Sequence, residues 1–197
     1  QSIKGFQSNA FTGTGFSLTN AGEQSIQGFE FDGSVRPADG LNLSLALTYL
    51  DPKYDSFVGS AYGDISGTRP AGIPDLSVNM GATYTHEMAS GSRAVFHVDY
   101  QYETPTQIIE GFTGFGNTPE ARAFARGIAQ NLKREVNSLN ASISFGLPMG
   151  LEFGVWGRNL TNSKHLIALF DSVAQQGSIS GYPNQPRTYG GSVRYKF

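Results

Sequence analysis

The chain has 197 residues, 14 basic and 16 acidic, for a net charge of -2, with 25 Gly, 14 Phe, 9 Tyr and no Cys. With so few charges and no basic run, a nucleic-acid backbone finds nothing to grip, and without Cys there are no disulfides, thiolate nucleophiles or thiolate-held metals. No stretch reaches the roughly 18 apolar residues of a spanning helix, so any passage through a membrane falls to strands.

Strand signals begin near the first residue. The start Gln1-Ser2-Ile3-Lys4 has neither the charged nor the apolar region of a signal peptide, and no initiating Met precedes it. The expectation is a fragment that opens within a strand, about 1 to 8. The next strand, about 23 to 36, sets Phe29, Phe31, Gly33 and Val35 against Glu30, Asp32, Ser34 and Arg36. From 41 to 50, Leu41, Leu43, Leu45, Leu47 and Tyr49 oppose Asn42, Ser44, Ala46 and Thr48. Period two with unlike faces specifies strands between two environments. The pattern returns at about 74 to 87, with Leu76, Val78, Met80, Ala82 and Tyr84 on one side. Between about 93 and 104, Phe96, Val98, Tyr100 and Tyr102 face away from His97, Asp99, Gln101 and Glu103. A face so charged cannot be a sandwich core. Three more strands follow at about 135 to 147, 151 to 158 and 188 to 197, the last setting Tyr189, Val193, Tyr195 and Phe197 against Arg194 and Lys196.

The connections alternate in length. Tight turns carry Pro37-Ala38-Asp39-Gly40, Ala89-Ser90-Gly91 and Pro148-Met149-Gly150, and long loops span about 51 to 73, 104 to 134 and 159 to 188, with a shorter one near 8 to 22. Short connections on one rim and long ones on the other are the layout of an outer-membrane β-barrel. About eight antiparallel strands are expected, and lipid permits them only in a closed sheet. Within the loops, Thr118 can cap a helix that begins at Pro119 and carries Glu120 in its first turn, with Phe124 and Ile128 on one face. The apolar stretch 165 to 176 lacks steady alternation and is expected to be a packed loop or short helix.

Three segments resemble the TonB-dependent outer-membrane receptors: Asn20-Ala21-Gly22-Glu23 followed by Gly28-Phe29-Glu30-Phe31; Val155-Trp156-Gly157-Arg158-Asn159-Leu160-Thr161-Asn162; and the terminal Pro186-Arg187-Thr188-Tyr189-Gly190-Gly191-Ser192-Val193-Arg194-Tyr195-Lys196-Phe197. The resemblance covers essentially the whole chain and implies an all-β fold, the C-terminal part of a barrel of about 22 strands around an N-terminal plug that lies outside this sequence. It further implies a multi-pass place in the bacterial outer membrane, with energised import of a scarce nutrient such as a ferric siderophore. The implied partners are membrane lipid, the protein's own plug, the TonB complex acting through segments not in this sequence, the barrel-assembly machinery and a nutrient ligand. Val193, Tyr195 and Phe197 resemble the C-terminal assembly signal of the family.

The candidate sites follow from this frame. Glu30, Asp32, Arg36, Glu152, Arg158 and Arg194, with Lys196, are expected on the polar lumen face, as plug contacts or general lumen polarity. Tyr54, Tyr62, Arg69, Phe112, Phe115, Arg122, Phe124, Phe170 and Tyr182 are the candidate ligand contacts of the loops, although loop aromatics also serve packing. His97 and Asp99, two apart with Glu103 further on, could hold a metal or simply line a wet lumen. His86 and His165 lack partners at ligand spacing. The sequons at Asn140 and Asn159 are not expected to carry sugar, and no cofactor or catalytic pair is discernible. Two other readings compete: a complete eight-stranded barrel with a structural or adhesive role, in which the first and last strands pair, and a soluble carbohydrate-binding module.

Overall fold

The computed structural model describes residues 1–5, 7–11, 14–20 and 22–197. Phe6 of the expected first strand and Ala21 of the Asn20–Glu23 motif lie outside the described residues. The elements in chain order are β1 (Ser2–Lys4), β2 (Gln7–Phe11), β3 (Phe16–Asn20), β4 (Glu23–Ala38), β5 (Leu41–Ser56), β6 (Leu76–Glu87), β7 (Arg93–Gln107), α1 (Pro119–Asn131), β8 (Lys133–Gly146), β9 (Leu151–Arg158), β10 (Leu166–Asp171), β11 (Ile179–Pro183) and β12 (Thr188–Tyr195). One antiparallel sheet carries eight of them in the order β1-β4-β5-β6-β7-β8-β9-β12. These are the strands read from the alternation. Their neighbours are sequential because each short turn or loop returns the chain beside the strand it left.

Register keeps the two faces distinct across the whole sheet. Val35 lies opposite Leu43, Leu43 opposite Ala82, Ala82 opposite Val98, and Val98 opposite Ala141. On the other face Asn42 meets Thr83, Thr83 meets His97, His97 meets Ser142, Ser142 meets Trp156, and Trp156 meets Gly190. A slip of one residue in any pair would exchange the faces, and the patterning of every strand forbids it. The three tight turns each end on a left-handed glycine: Gly40 (φ 75°), Gly91 (φ 80°) and Gly150 (φ 85°). A Cβ at Gly40 would run into the Thr85 carbonyl oxygen, so the turn requires glycine twice over.

The buried core does not lie under the sheet. Apolar-face residues stay uncovered, Phe31 at 52%, Val155 at 60% and Val193 at 69% exposure. In water each such side chain forgoes about 1.5–3 kcal/mol of burial, and a contiguous apolar face of this extent carries the penalty of association with other apolar surface. A hydrocarbon solvent removes that penalty. The buried clusters sit instead in the loops, one of Ala10, Tyr54, Phe57, Tyr62 and Ile65 and another of Phe112, Ala125, Ala129 and Leu169. No helix among the described residues is long and apolar enough to cross a membrane. Among the described residues β1 and β12 are the two edges of the sheet, and no pairing joins them as a complete eight-stranded barrel would need.

Two expectations are corrected in the loops. Residues 165–176 are neither helix nor irregular loop: β10 pairs with β11 in an antiparallel hairpin, Leu169 opposite Gly181 and Phe170 opposite Ser180. Alternation is missing because apolar side chains on both faces of β10 find partners, Leu166 and Leu169 in the second cluster and Phe170 at Tyr182, 5.4 Å between ring centres, while the register shifts between Leu166 and Ala168 and Ile167 stays exposed. The first strand is also shorter than expected: it breaks at Gly5 (φ 62°), and β2 leaves the sheet to pair with β3. The helix forms as read. Thr118 Oγ1 accepts from the Ala121 amide at 3.2 Å, and Pro119 opens the first turn.

Candidate functional site

Four loops gather at the rim opposite the tight turns, and two carboxylates, Asp171 buried and Glu110 half-buried, join them into one cap. Asp171, at the end of β10 and 3% exposed, accepts from the Thr113 amide (2.8 Å), the Thr113 hydroxyl (2.8 Å) and the Gly114 amide (2.9 Å). The Thr113 hydroxyl, whose one proton is shared between Asp171 and the Phe11 carbonyl at 3.1 Å, brings the β2–β3 hairpin to the same knot. Glu110 accepts from the Tyr54 hydroxyl (2.9 Å) and the Ala71 amide (2.7 Å), tying the segment after α1's preceding strand to the 57–75 loop. Burial raises the Glu110 pKa above the usual carboxylate range, against the lowering pull of the Ala71 and Tyr54 hydrogen bonds. Tyr62 is pushed up to about 12 by burial, then by the charges of Glu110 and Asp171.

Both carboxylates escaped the sequence reading. Their partners lie far along the chain and are mostly backbone amides, which leave no spacing pattern. One signal was available. Each carboxylate interrupts an apolar run, Ile108-Ile109-Glu110-Gly111-Phe112 and Leu169-Phe170-Asp171-Ser172-Val173, where an unpaired charge would be too costly to keep.

The loop residues expected at a ligand divide by burial. Tyr54, Tyr62 and Phe112 are inside the clusters that hold the cap together, and Phe115 and Phe170 are half-buried. Arg69 is committed at the base of its loop, to Asp75 at 2.7 Å, Asp51 at 3.3 Å and the Leu50 carbonyl. Arg122 is half-buried with its Nε lacking a hydrogen-bond partner. Phe124 and Tyr182, 61% and 60% exposed, are the aromatics of the set that reach the surface.

At the neck of the last loop, Asn159 occupies the left-handed region (φ 50°) and is 6% exposed. Its Nδ2 donates to the Ser163 and Gln185 carbonyls, and its Oδ1 accepts from the Ser163 amide. Both amide hydrogens are committed, which leaves this sequon no free acceptor for sugar. The Asn159 amide donates to Asn140 Oδ1, and Asn140 Nδ2 donates to Asp99, so the neck is bonded into the polar face of the sheet.

Below the neck a cavity of about 370 Å³ opens on that polar face, lined among others by Glu103, Arg134, Arg158, His165, Ile167 and Gln185. Glu103 and Arg134 pair at 3.1 Å with little exposure. The Arg158 guanidinium lies 5.4 Å over the Trp156 ring. Nearer the tight turns, Glu87, Arg93, Gly146, Glu152 and Arg194 fall opposite one another across five strands, and Arg194 bridges to Glu152 at 3.5 Å. Glu30, Asp32 and Arg36 follow along β4 and are exposed. His97 uses both ring nitrogens, toward Thr83 at 2.8 Å and Asp99 at 3.4 Å, and no group of three or more metal-ligating residues occurs among the described residues. His86 stacks on Tyr84 on the apolar face. Val193 and Tyr195 stand on the apolar side of the edge strand and Phe197 follows it, its ring 5.3 Å from that of Tyr195, while Lys196 N–H donates to the Gly150 carbonyl of the last tight turn.

Comparison with known proteins agrees with this geometry. The family model "TonB dependent receptor-like, beta-barrel" matches residues 1–191. The structure is similar to the ferric yersiniabactin uptake receptor FyuA of Yersinia pestis, with TM-score 0.68 and 16% identity over 92% of this chain and 25% of that one. It is also similar to BauA, the ferric preacinetobactin receptor of Acinetobacter baumannii, with TM-score 0.61 and 17% identity over 95% of this chain and 25% of that one. The chain thus spans about a quarter of the length of these solved receptors. A comparison with curated protein sequences found no match.

Proposed function

Because the chain belongs to the TonB-dependent receptor β-barrel family, we propose that it forms the C-terminal wall, lumen face and outer loops of an outer-membrane receptor that imports a scarce nutrient such as a ferric siderophore. The family is one of outer-membrane receptors and transporters, and its chemistry is binding and passage rather than catalysis. The observation that carries the reading is the pairing of an uncovered apolar face with a continuous polar face, under a loop cap at one rim only. Such a wall suits lipid outside, a plug inside and solute capture above.

In this reading Glu30, Asp32, Arg36, Glu152 and Arg194 meet the plug, Phe124 and Tyr182 meet the arriving solute, and the energy-transducing complex acts through segments outside this chain. Val193 and Tyr195 on the edge strand, with Phe197 just beyond it, offer the barrel-assembly machinery an aromatic-bearing edge before the barrel closes. A siderophore is favoured over other nutrients because FyuA and BauA, the two similar structures, are receptors for ferric siderophores.

The test is growth and uptake. Cells lacking the full-length receptor, starved of iron and supplied with ferric siderophores of different chemical classes, are expected to lose uptake of one class and to regain it with the plasmid-borne gene. Undiminished uptake of every ferric siderophore would exclude iron import, and an unchanged response to depletion of the proton-motive force would exclude energised transport altogether.

A further inference from the structure

Trp156 is the chain's single tryptophan, and it lies on the polar face, where a large apolar ring is out of place. Its seat is specific. Gly190 stands directly opposite, and a Cβ there would come within 2.7 Å of the indole Cζ2. The absence of a side chain at Gly190 therefore gives the indole its place against the wall, and the indole carries the Arg158 guanidinium 5.4 Å from its ring centre. A guanidinium with one face engaged by an aromatic ring keeps its N–H groups in the plane, turned outward as a fork. That fork fits a planar oxyanion, above all a carboxylate.

The surrounding charge points the same way. Of the charged groups lining the cavity, Glu103 and Arg134 offset each other at 3.1 Å, and Arg158 has no carboxylate within ion-pair distance among the described residues. Within this chain, the cavity therefore presents one positive charge with no paired carboxylate. Buried polar atoms without a hydrogen-bond partner also gather here: Arg134 Nε and His165 Nδ1 belong to residues lining the cavity, and Thr188 Oγ1 belongs to the cross-strand partner of Arg158. Buried polar groups are rarely left in that state, and two in the cavity lining, with a third on the residue paired to Arg158, mark a place where a polar guest completes the bonding.

We propose that the Gly190–Trp156–Arg158 stack is a carboxylate-binding contact in the lumen wall, used by the solute after it passes the loop cap. The inference rests on the receptor reading for the identity of its guest as a solute, while the anion chemistry follows from the stack and the cavity alone. Asn159 and Gln185 border the same cavity, so a bound anion would sit directly beneath the clamp that closes the last loop.

The experiment uses the full-length receptor in detergent, with citrate as the carboxylate probe and its trimethyl ester as the uncharged control. The emission of Trp156, isolated by subtracting the Trp156→Phe variant, is expected to change saturably with citrate and not with the ester. Arg158→Gln should weaken the citrate response at least tenfold, Arg158→Lys should weaken it less, and Lys53→Gln, a cation on β5 that does not line the cavity, should leave it within twofold. A wild-type response absent at tens of millimolar citrate, or a response that Arg158→Gln leaves unchanged, overturns the proposal. A lowered thermal midpoint of the solute-free receptor on Arg158→Gln, with citrate response intact, would assign Arg158 to an internal contact and overturn it equally. The uptake assay separates the two readings: nutrient import that persists in a receptor failing this binding test refutes the subsite and leaves the receptor function standing.

Discussion

Asn159 donates from Nδ2 to the backbone carbonyl of Gln185, 26 positions further on, at 3.0 Å, and thereby closes a long outer loop with a single side chain. The same amide donates to the Ser163 carbonyl and accepts from the Ser163 amide, and Asn184 adds a bond from its own Nδ2 to Ser163. Loop 159–187 thus behaves as a unit hung on one neck, and the segment resembling the family's motif is explained by that geometry.

Replacing Asn159 by Gly isolates the clamp, because glycine keeps the left-handed backbone without strain while removing every side-chain bond. At about 1 kcal/mol per bond, the loss of about 2–3 kcal/mol should speed amide exchange in residues 160–187 of the full-length receptor roughly a hundredfold. Residues 41–50, on distant β5, should exchange as before. Equal protection in the variant loop would show that the neck is held elsewhere.

Asp171 presents the reverse case, an acceptor facing donors only. Asp171→Asn places an NH2 group where one carboxylate oxygen met an N–H, losing a charge-assisted bond and opposing donor to donor. The expected cost is about 2–4 kcal/mol. Limited proteolysis should then cut within 108–118 and 172–178 at protease levels that leave the wild-type receptor intact. Resistance equal to wild type would mean that the apolar cluster of Phe112, Ala125, Ala129 and Leu169 holds these loops without the carboxylate.

How much of this was readable beforehand follows from where each residue finds its partners. The wall was legible because every strand of it separates two solvents, and period two is the direct imprint of that separation: Leu43, Leu45 and Leu47 needed no tertiary knowledge to be placed together. The β10–β11 hairpin was not legible, since a strand with apolar partners on both faces loses alternation and Leu166-Ile167-Ala168-Leu169-Phe170 reads alike as strand, helix or packed loop. Glu110 and Asp171 were hidden for another reason, as their partners are separated from them by 39 to 58 positions. The loop aromatics were legible as a group but not by role. Burial divides Tyr54 from Tyr182, and burial of a loop residue depends on the other loops.

Glu110 makes the attachment between the 57–75 loop and the 108–118 segment sensitive to pH. Its pKa is raised in the folded cap, chiefly by burial, above the ordinary value of 4.5. The folded cap therefore holds the proton more tightly than the opened one. The sign is fixed by that preference: stability is greatest below about pH 4.5, and falls as pH rises from there through the raised folded value. Glu110→Gln retains an acceptor oxygen for Tyr54 and Ala71 but cannot ionise, so its cap stability should be flat over the same window. Exchange rates of amides 66–73, corrected for the intrinsic pH dependence, would measure the opening free energy. A slope shared by wild type and Glu110→Gln would place the titrating group elsewhere.

The division of solvents across the wall can be tested with two adjacent residues of β8. Ile143, 47% exposed on the apolar face, and Ser144, on the polar face opposite Gly154, differ by one position in sequence and by the whole thickness of the sheet in environment. Ile143→Arg puts a cation against acyl chains at a cost of about 2–4 kcal/mol if the residue lies near the midplane. Ser144→Arg puts the same cation into a wet lumen beside a glycine that leaves it room, and should cost under about 1 kcal/mol by the same comparison. Reversible urea unfolding of the full-length receptor in lipid vesicles gives both values. If the two substitutions cost the same, or if Ser144→Arg cost more, the faces would be assigned the wrong way round and the lumen placement of Trp156 and Arg158 would fail with them.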